Sequence, residues 1–330
     1  MSLTVSRISW VRRPEHLVPG IALVTMGLAF LVLPLVVGKG IRVFDLYNGL
    51  QGFAQFGFVA LALGITMMAG EFDLSVAGMH AVGGVVAVMF GATHPLLGVF
   101  AAIAVGLVLG MVQGGIIAFS GISSLPVTLG SLIALMGLTS FLSGGLSLTY
   151  ANVDATLWVD QPLLAIFSPR SLILFALFAT AVAVLGGTRL GRDLRAVGGD
   201  RRSAKVAGVR VRSTIVGAFA ASGVLASLGG ALLAYSYSSA NPDPGQQLLI
   251  VGVVAALLGG ASLAGGRGKA IGLLCGALSV ALLSQLTTML AVPSFVTQLA
   301  FAVFLIVIVI VDAPGLRTQL QRIIARRADE

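Results

Sequence analysis

Two carboxylates interrupt an otherwise apolar run from 53 to 92: the segment Gly70-Glu-Phe-Asp-Leu-Ser-Val-Ala-Gly78 sets Glu71 and Asp73 two residues apart. Ionisable groups inside such a run are costly, and by default they mark a proton relay, an ion path or a substrate site. The same residues also read as a helix boundary, with Asp73 capping a helix that starts at Leu74 and Glu71 at the membrane face. Little else offers reactive chemistry. His16, His80 and His94 are scattered and form no helical pair suited to a metal. The lone Cys275 lies in apolar Leu273-Leu-Cys-Gly-Ala277, with no partner for an intrachain disulfide and no cysteine cluster for zinc or iron–sulfur. Gly266-Arg-Gly-Lys269 approaches a Walker A loop, but Leu263 stands where the first glycine belongs and Ala270 where the Mg²⁺-binding hydroxyl would be. No Gly-x-Ser-x-Gly elbow is present. The residues therefore favour a transporter over an enzyme, with no cofactor and no metal of its own.

The elements that must position these residues are set by composition. Of 330 residues, 57% are hydrophobic and 10% charged, against roughly 45–50% and 25% in soluble domains. An all-α integral membrane protein follows. A crossing helix needs about 20 apolar residues, and ten segments qualify: 17–38, 47–69, 74–92, 95–119, 124–146, 170–187, 214–235, 248–265, 270–291 and 295–312. The first is longer than a signal-peptide core of about 7–15 residues and lacks a clear cleavage site, so it reads as a retained helix. The chain divides into a tail (1–16), a permease-like bundle (17–312) and a second tail (313–330). Glycine-dense stretches such as Leu258-Gly-Gly-Ala-Ser-Leu-Ala-Gly-Gly266 imply close helix packing.

Charge gives direction. Segment 188–213 carries eight basic residues (Arg189, Arg192, Arg195, Arg201, Arg202, Lys205, Arg210, Arg212) against Asp193 and Asp200. The positive-inside rule makes it cytoplasmic. Alternating from there puts Arg7, Arg12 and Arg13, Arg267 and Lys269, and Arg317, Arg322, Arg326 and Arg327 on the same side, so both termini are cytoplasmic. Lys39 and Arg42 are a small outward exception. The net charge of +8 thus reports orientation in a membrane, not a nucleic-acid partner.

Within 188–213, local signals predict a short helix over 201–207, with Asp200 as N-cap and Gly208 in the left-handed position after its end. Such a two-turn helix between long spans can serve as a docking knob, or the segment is a basic loop that only orients the protein. Candidate pathway-lining residues are Asn48, Gln51, Gln55 and Phe56 on the second span and Gln285 and Thr288 on the ninth. Gln51 and Gln55, four apart, share a helix face. Each could instead satisfy a neighbouring helix.

Three blocks carry a family resemblance. Gly70-Glu-Phe-Asp-Leu-Ser-Val (with Gly70, Asp73, Leu74 and Ser75), the segment Gly191-Arg-x-x-x-Ala-x-Gly-Gly-Asp…Ala204-x-x-x-Gly208-Val, and the late block holding Gly259, Gly260, Gly265 and Gly266 occur in order across nearly the whole chain. Together they resemble the membrane permeases of ABC importers, in the ribose/monosaccharide branch related to branched-chain amino acid permeases. The resemblance implies a permease dimer, of two copies or of this chain and a paralogue, in the bacterial cytoplasmic membrane. It implies cytoplasmic ATPase subunits that bind the ATP, a soluble solute-binding protein, and a small polar solute, commonly a pentose or hexose. It makes Gly199, Asp200, Arg201, Ala204, Lys205 and Gly208 the coupling contact with the ATPase. The small side chain of Ala204 is expected to admit the partner surface. Two departures stand out: Glu71-Phe72 replaces the common Gly-Ile, and Arg201-Arg202 stands where acidic residues are frequent. An ion- or proton-coupled secondary carrier is the alternative. The faint likeness of 70–84 to 259–273 does little for it, since six spans apart the two have equal, not inverted, orientation.

Overall fold

The computed structural model describes residues 17–243 and 246–312; the two basic tails lie outside the described residues. The chain runs through α1 (Val18–Val36), α2 (Val43–Met68), α3 (Val76–Phe90), α4 (Pro95–Ser120), α5 (Ser124–Ser143), β1 (Leu148–Thr149), α6 (Val153–Asp160), α7 (Pro169–Gly187), α8 (Arg189–Gly199), α9 (Arg201–Val206), α10 (Val211–Ser236), β2 (Ser239–Ala240), α11 (Gln246–Leu258), α12 (Ala270–Met289) and α13 (Ser294–Asp312). β1 and β2 pair antiparallel, Leu148 opposite Ala240.

Seven of these helices, α1, α2, α4, α5, α7, α10 and α12, are long and apolar enough to cross a membrane. α3, α11 and the Ser294–Val307 part of α13 are apolar but shorter. Among the boundaries that differ from the sequence reading, two bear on the site. α11 stops at Leu258 instead of 265, because Gly260, Gly265 and Gly266 take positive φ of 83°, 79° and 70° and carry the backbone out of the helix. α3 starts at Val76 instead of Leu74, because residues 73–75 form a turn around the Asp73 carboxylate. Two further helices, α6 and α8, were not expected.

α2 and α10 form the centre, 78% of the apolar stretch of each being buried, against 17% for α1 and α5. Glycines let α10 approach its neighbours to backbone contact: a Cβ at Gly83 would overlap Ser227, one at Gly230 would overlap the carbonyl of His80, and one at Gly223 would overlap that of Gly106. The outer helices expose apolar side chains, Val18, Ile21, Val24 and Leu28 on α1 and Leu96, Leu97 and Phe100 on α4, the composition hydrocarbon requires.

The connections sort to two ends. At one, the 69–75 turn meets α8 and the 259–269 loop, with Gly266 N donating to Met68 O. At the other, Tyr150 donates to Gly91 O, Tyr47 to Asp160 O and Lys39 to Met289 O.

Candidate functional site

The three glycine-bearing blocks of the sequence meet at the α9 end. Gly70 has φ +77°, which a side chain rarely adopts, and it lies against the backbone of Gly198 at the close of α8. A Cβ on Gly198 would run into Met68 O and Gly266 N; one on Gly265 would meet the Cα of Gly70 at 2.5 Å. Three segments far apart in sequence thus touch through bare backbone.

Behind this seam Asp73 is 2% exposed and gathers three elements. Its Oδ1 accepts from Ser75 N at 3.0 Å and from Gln113 Nε2 of α4 at 3.0 Å, and its Oδ2 accepts from Ser222 Oγ of α10 at 2.8 Å. Burial raises its pKa while the bonds from Ser75, Ser222 and Gln113 lower it. Asp73 is therefore not the cap of α3, whose N-cap is Ser75; it closes the turn before the helix and adds cross-helix bonds to α4 and α10. Leu74 is half-buried and Ser75 fully buried beside it.

Glu71 is not at a solvent-facing membrane surface. It is 4% exposed and forms an ion pair with Arg201. Burial raises its carboxyl pKa, and Arg201 and a hydrogen bond from Ser124 pull it back. The two departures noted in the sequence, Glu71 and Arg201, are partners of each other.

Arg201 opens α9, whose form follows its caps. Asp200 Oδ1 accepts from Arg202 N at 2.7 Å and Ser203 N at 3.2 Å, bonds that hold its carboxyl below the usual range, that from Ser203 foremost. Gly208 has φ +82° just past the other end. Ala204 points inward: at 3% exposure it packs with Ile117, Val197, Ile215 and Phe219. Its small side chain admits this chain's own α4, α8 and α10, not a partner surface. The outward face is Arg202, Lys205 and Val206, the last 90% exposed; Gly199 and Asp200 are also exposed.

At the opposite end a cavity of about 350 Å³ runs inward among α2, α3, α10 and α11. Gln55 and Phe56 line it with His80, Tyr237, Asn241 and Gln247. His80 is 4% exposed and its Nε2 has no hydrogen-bond partner; Tyr237 donates to Gln55 Oε1 at 3.5 Å. The lining offers hydroxyl, amide and imidazole groups, the carboxylate of Asp243 and the rings of Phe56 and Tyr237, a set able to hold a polyhydroxylated molecule. The other expected lining residues lie elsewhere. Gln51 accepts from Arg170 Nη2 at 2.6 Å and Ser168 Oγ at 3.3 Å. Gln285 faces Gly49 of α2, Thr288 donates to Ser284 O within its own helix, and Asn48 is half-buried outside the cavity.

Sequence reading missed His80, dismissed as a scattered histidine, and Arg170. Arg170 is 3% exposed in the first turn of α7, paired at 3.2 Å with Asp160, which also accepts from Ser236 of α10. An arginine at the start of a span, opposite an aspartate in the preceding loop, was the available signal.

The family described as branched-chain amino acid transport system / permease component matches residues 46–311. The chain is 31% identical over 275 residues to the ribose import permease protein RbsC of Escherichia coli strain K12, covering 81% of this chain and 85% of that protein. It is 28% identical over 273 residues to the protein of the same name from Haemophilus influenzae, covering 81% and 84%. It is 29% identical over 296 residues to the autoinducer 2 import system permease protein LsrD of Escherichia coli O9:H4, covering 84% and 86%. No solved structure matches.

Proposed function

We infer the function from one premise: the chain belongs to the family of branched-chain amino acid transport system permease components. It is a multi-pass protein of a bacterial inner membrane. We propose that it is the permease subunit of an ATP-driven ABC importer for a small polar solute, a monosaccharide before any other class. Two such subunits, identical or paralogous, form the pathway. Cytoplasmic ATPase subunits bind the ATP, and a soluble binding protein delivers the solute. The ten apolar helices cross the membrane, with the basic α8–α9 segment and both termini on the cytoplasmic side. The import names of the relatives, for ribose and autoinducer 2, support the solute class. So do the amide, imidazole and hydroxyl groups that Gln55, His80, Tyr237 and Asn241 bring to the cavity, beside the single carboxylate of Asp243.

The observation that carries this reading is the build of α9. Its outward face, Arg202 and Val206, is bare, while its first residue is ion-paired to the turn that starts α3. A short rigid helix with one face free and one end tied to a central helix is suited to pass a push inward. The test is co-purification of the tagged chain with its ATPase subunit, followed by reconstitution. With the soluble binding protein added, the pair should hydrolyse ATP and import a monosaccharide in vesicles supplied with ATP, and dissipating proton and sodium gradients should leave uptake intact. Uptake that vanishes with the gradient, or a chain that works without any ATPase subunit, would make it a secondary carrier.

A further inference from the structure

A second cavity, of about 710 Å³, opens on the flank formed by α1, α7 and α12 at the α8–α9 end. Its walls are apolar, from Val182 and Leu185 on α7 and Ile271 on α12, and its rim carries Arg195, Arg267 and Lys269. No carboxylate lines it. Arg195 is fixed at the mouth by donating to Leu185 O at 3.0 Å, and no carboxylate among the described residues lies within ion-pair reach of Arg195 or Lys269.

This pairing of a dry wall with three cations restricts the occupant. A small soluble anion has no use for the apolar wall, and an alkane has none for the cations. The neighbouring face of α1 exposes Val18, Ile21 and Val24, which places the mouth against lipid. By the positive-inside rule the rim lies at the cytoplasmic leaflet, where anionic lipids and basic pockets between spans meet.

We propose that this cavity binds one anionic phospholipid, its acyl chain along Val182, Leu185 and Ile271 and its phosphate between Arg195, Arg267 and Lys269. The proposal requires that α1, α7 and α12 lie in a bilayer; it is independent of the solute and of the ATPase. Such a lipid would bridge α1 to α7 and α12 at the end where α8 begins.

The test uses the full-length chain purified in mild detergent, with native mass spectrometry during stepwise delipidation. Phosphatidylglycerol, phosphatidylcholine and inorganic phosphate are the probes. One phosphatidylglycerol per chain should survive conditions that strip phosphatidylcholine. Inorganic phosphate should neither bind stably nor displace the lipid. Each cation removed should weaken retention roughly fivefold, the conversion of about 1 kcal/mol per basic residue, so the double variant Arg267→Gln, Lys269→Gln should lose the lipid. Val182→Trp, which fills the apolar wall and leaves every cation in place, should lose it too, and it decides the matter if the double variant does not fold. Equal retention of both lipids, unchanged retention in the variants, or displacement by phosphate alone would overturn the proposal.

Discussion

Glu71 and Arg201 stand 130 positions apart in sequence and are joined by a charged hydrogen bond. The two ends of that bond are unequal: the Glu71 side chain is 2% exposed and that of Arg201 45%. Losing the arginine strands a buried charge, whereas losing the glutamate returns a cation to water. Arg201→Gln should therefore destabilise the protein by about 1–3 kcal/mol, and Glu71→Gln by less, measured as thermal melting in detergent. If the two variants melt alike, the asymmetry is wrong.

The same pair has a pH signature. Burial raises the Glu71 pKa and Arg201 lowers it, so removing Arg201 lets the carboxyl rise further in the folded state. Stability lost through Arg201→Gln should be largest on the alkaline side of the Glu71 titration, where the carboxyl is ionised. It should shrink as pH falls through the range in which Glu71 takes up its proton. A difference between wild type and variant that grows on acidification would contradict this.

On α9, neighbouring positions should separate folding from docking. Ala204→Glu drives a carboxylate among Ile117, Val197, Ile215 and Phe219; overpacking alone costs about 1–3 kcal/mol, and the unpaired charge adds to it. Its membrane level should fall. Val206→Glu alters an exposed knob, so membrane level should stay normal while ATPase pull-down and stimulated hydrolysis drop. The reverse pattern would mean the inward and outward faces are misassigned.

Gly198 and Gly199 form a second adjacent pair with opposite expectations. A Cβ at Gly198 overlaps Met68 O and Gly266 N, whereas one at Gly199 meets nothing within 4 Å. Gly198→Ala should lower the melting temperature; Gly199→Ala should leave it unchanged. Equal tolerance of both would show that the seam yields more easily than its backbone contacts imply.

Asp73→Ala removes the shared acceptor of Ser75, Gln113 and Ser222. Orphaned buried polar groups cost about 1–3 kcal/mol each, so this variant should be the least stable of the set. Asp73→Asn, which keeps an acceptor oxygen, should fall between it and wild type in the same melting assay.

Much of this fold was legible from residue order because a bilayer admits few architectures. The apolar runs marked where each of ten helices lies, and Asp200 and Gly208 bracketed α9 through capping chemistry that is local in sequence. What stayed hidden was side-chain direction. Nothing near Ala204 says whether it faces solvent or α10, since that depends on Ile215 and Phe219 folding back over it. Gln51 and Gln55 share one helix face, yet Gln51 is claimed by Arg170 and only Gln55 reaches the cavity. The end of α11 was misplaced because apolar composition continues past Leu258 while the glycine backbone leaves the helix. Glu71 looked exposed because its partner, Arg201, lies 130 positions away in sequence.

The central place of α10 bears on how the protein is made. α10 lies between α3 and α4 and also touches α2, yet ribosomes deliver it only after residue 210. Until then the inward faces of those three helices, with Gly83 and Gly106 shaped to fit α10, have no occupant. The β1–β2 pairing that closes the opposite end waits on it as well, since β2 follows α10 in the chain. A nascent chain stopped before 211 therefore lacks the helix on which the inward faces of α2, α3 and α4 close.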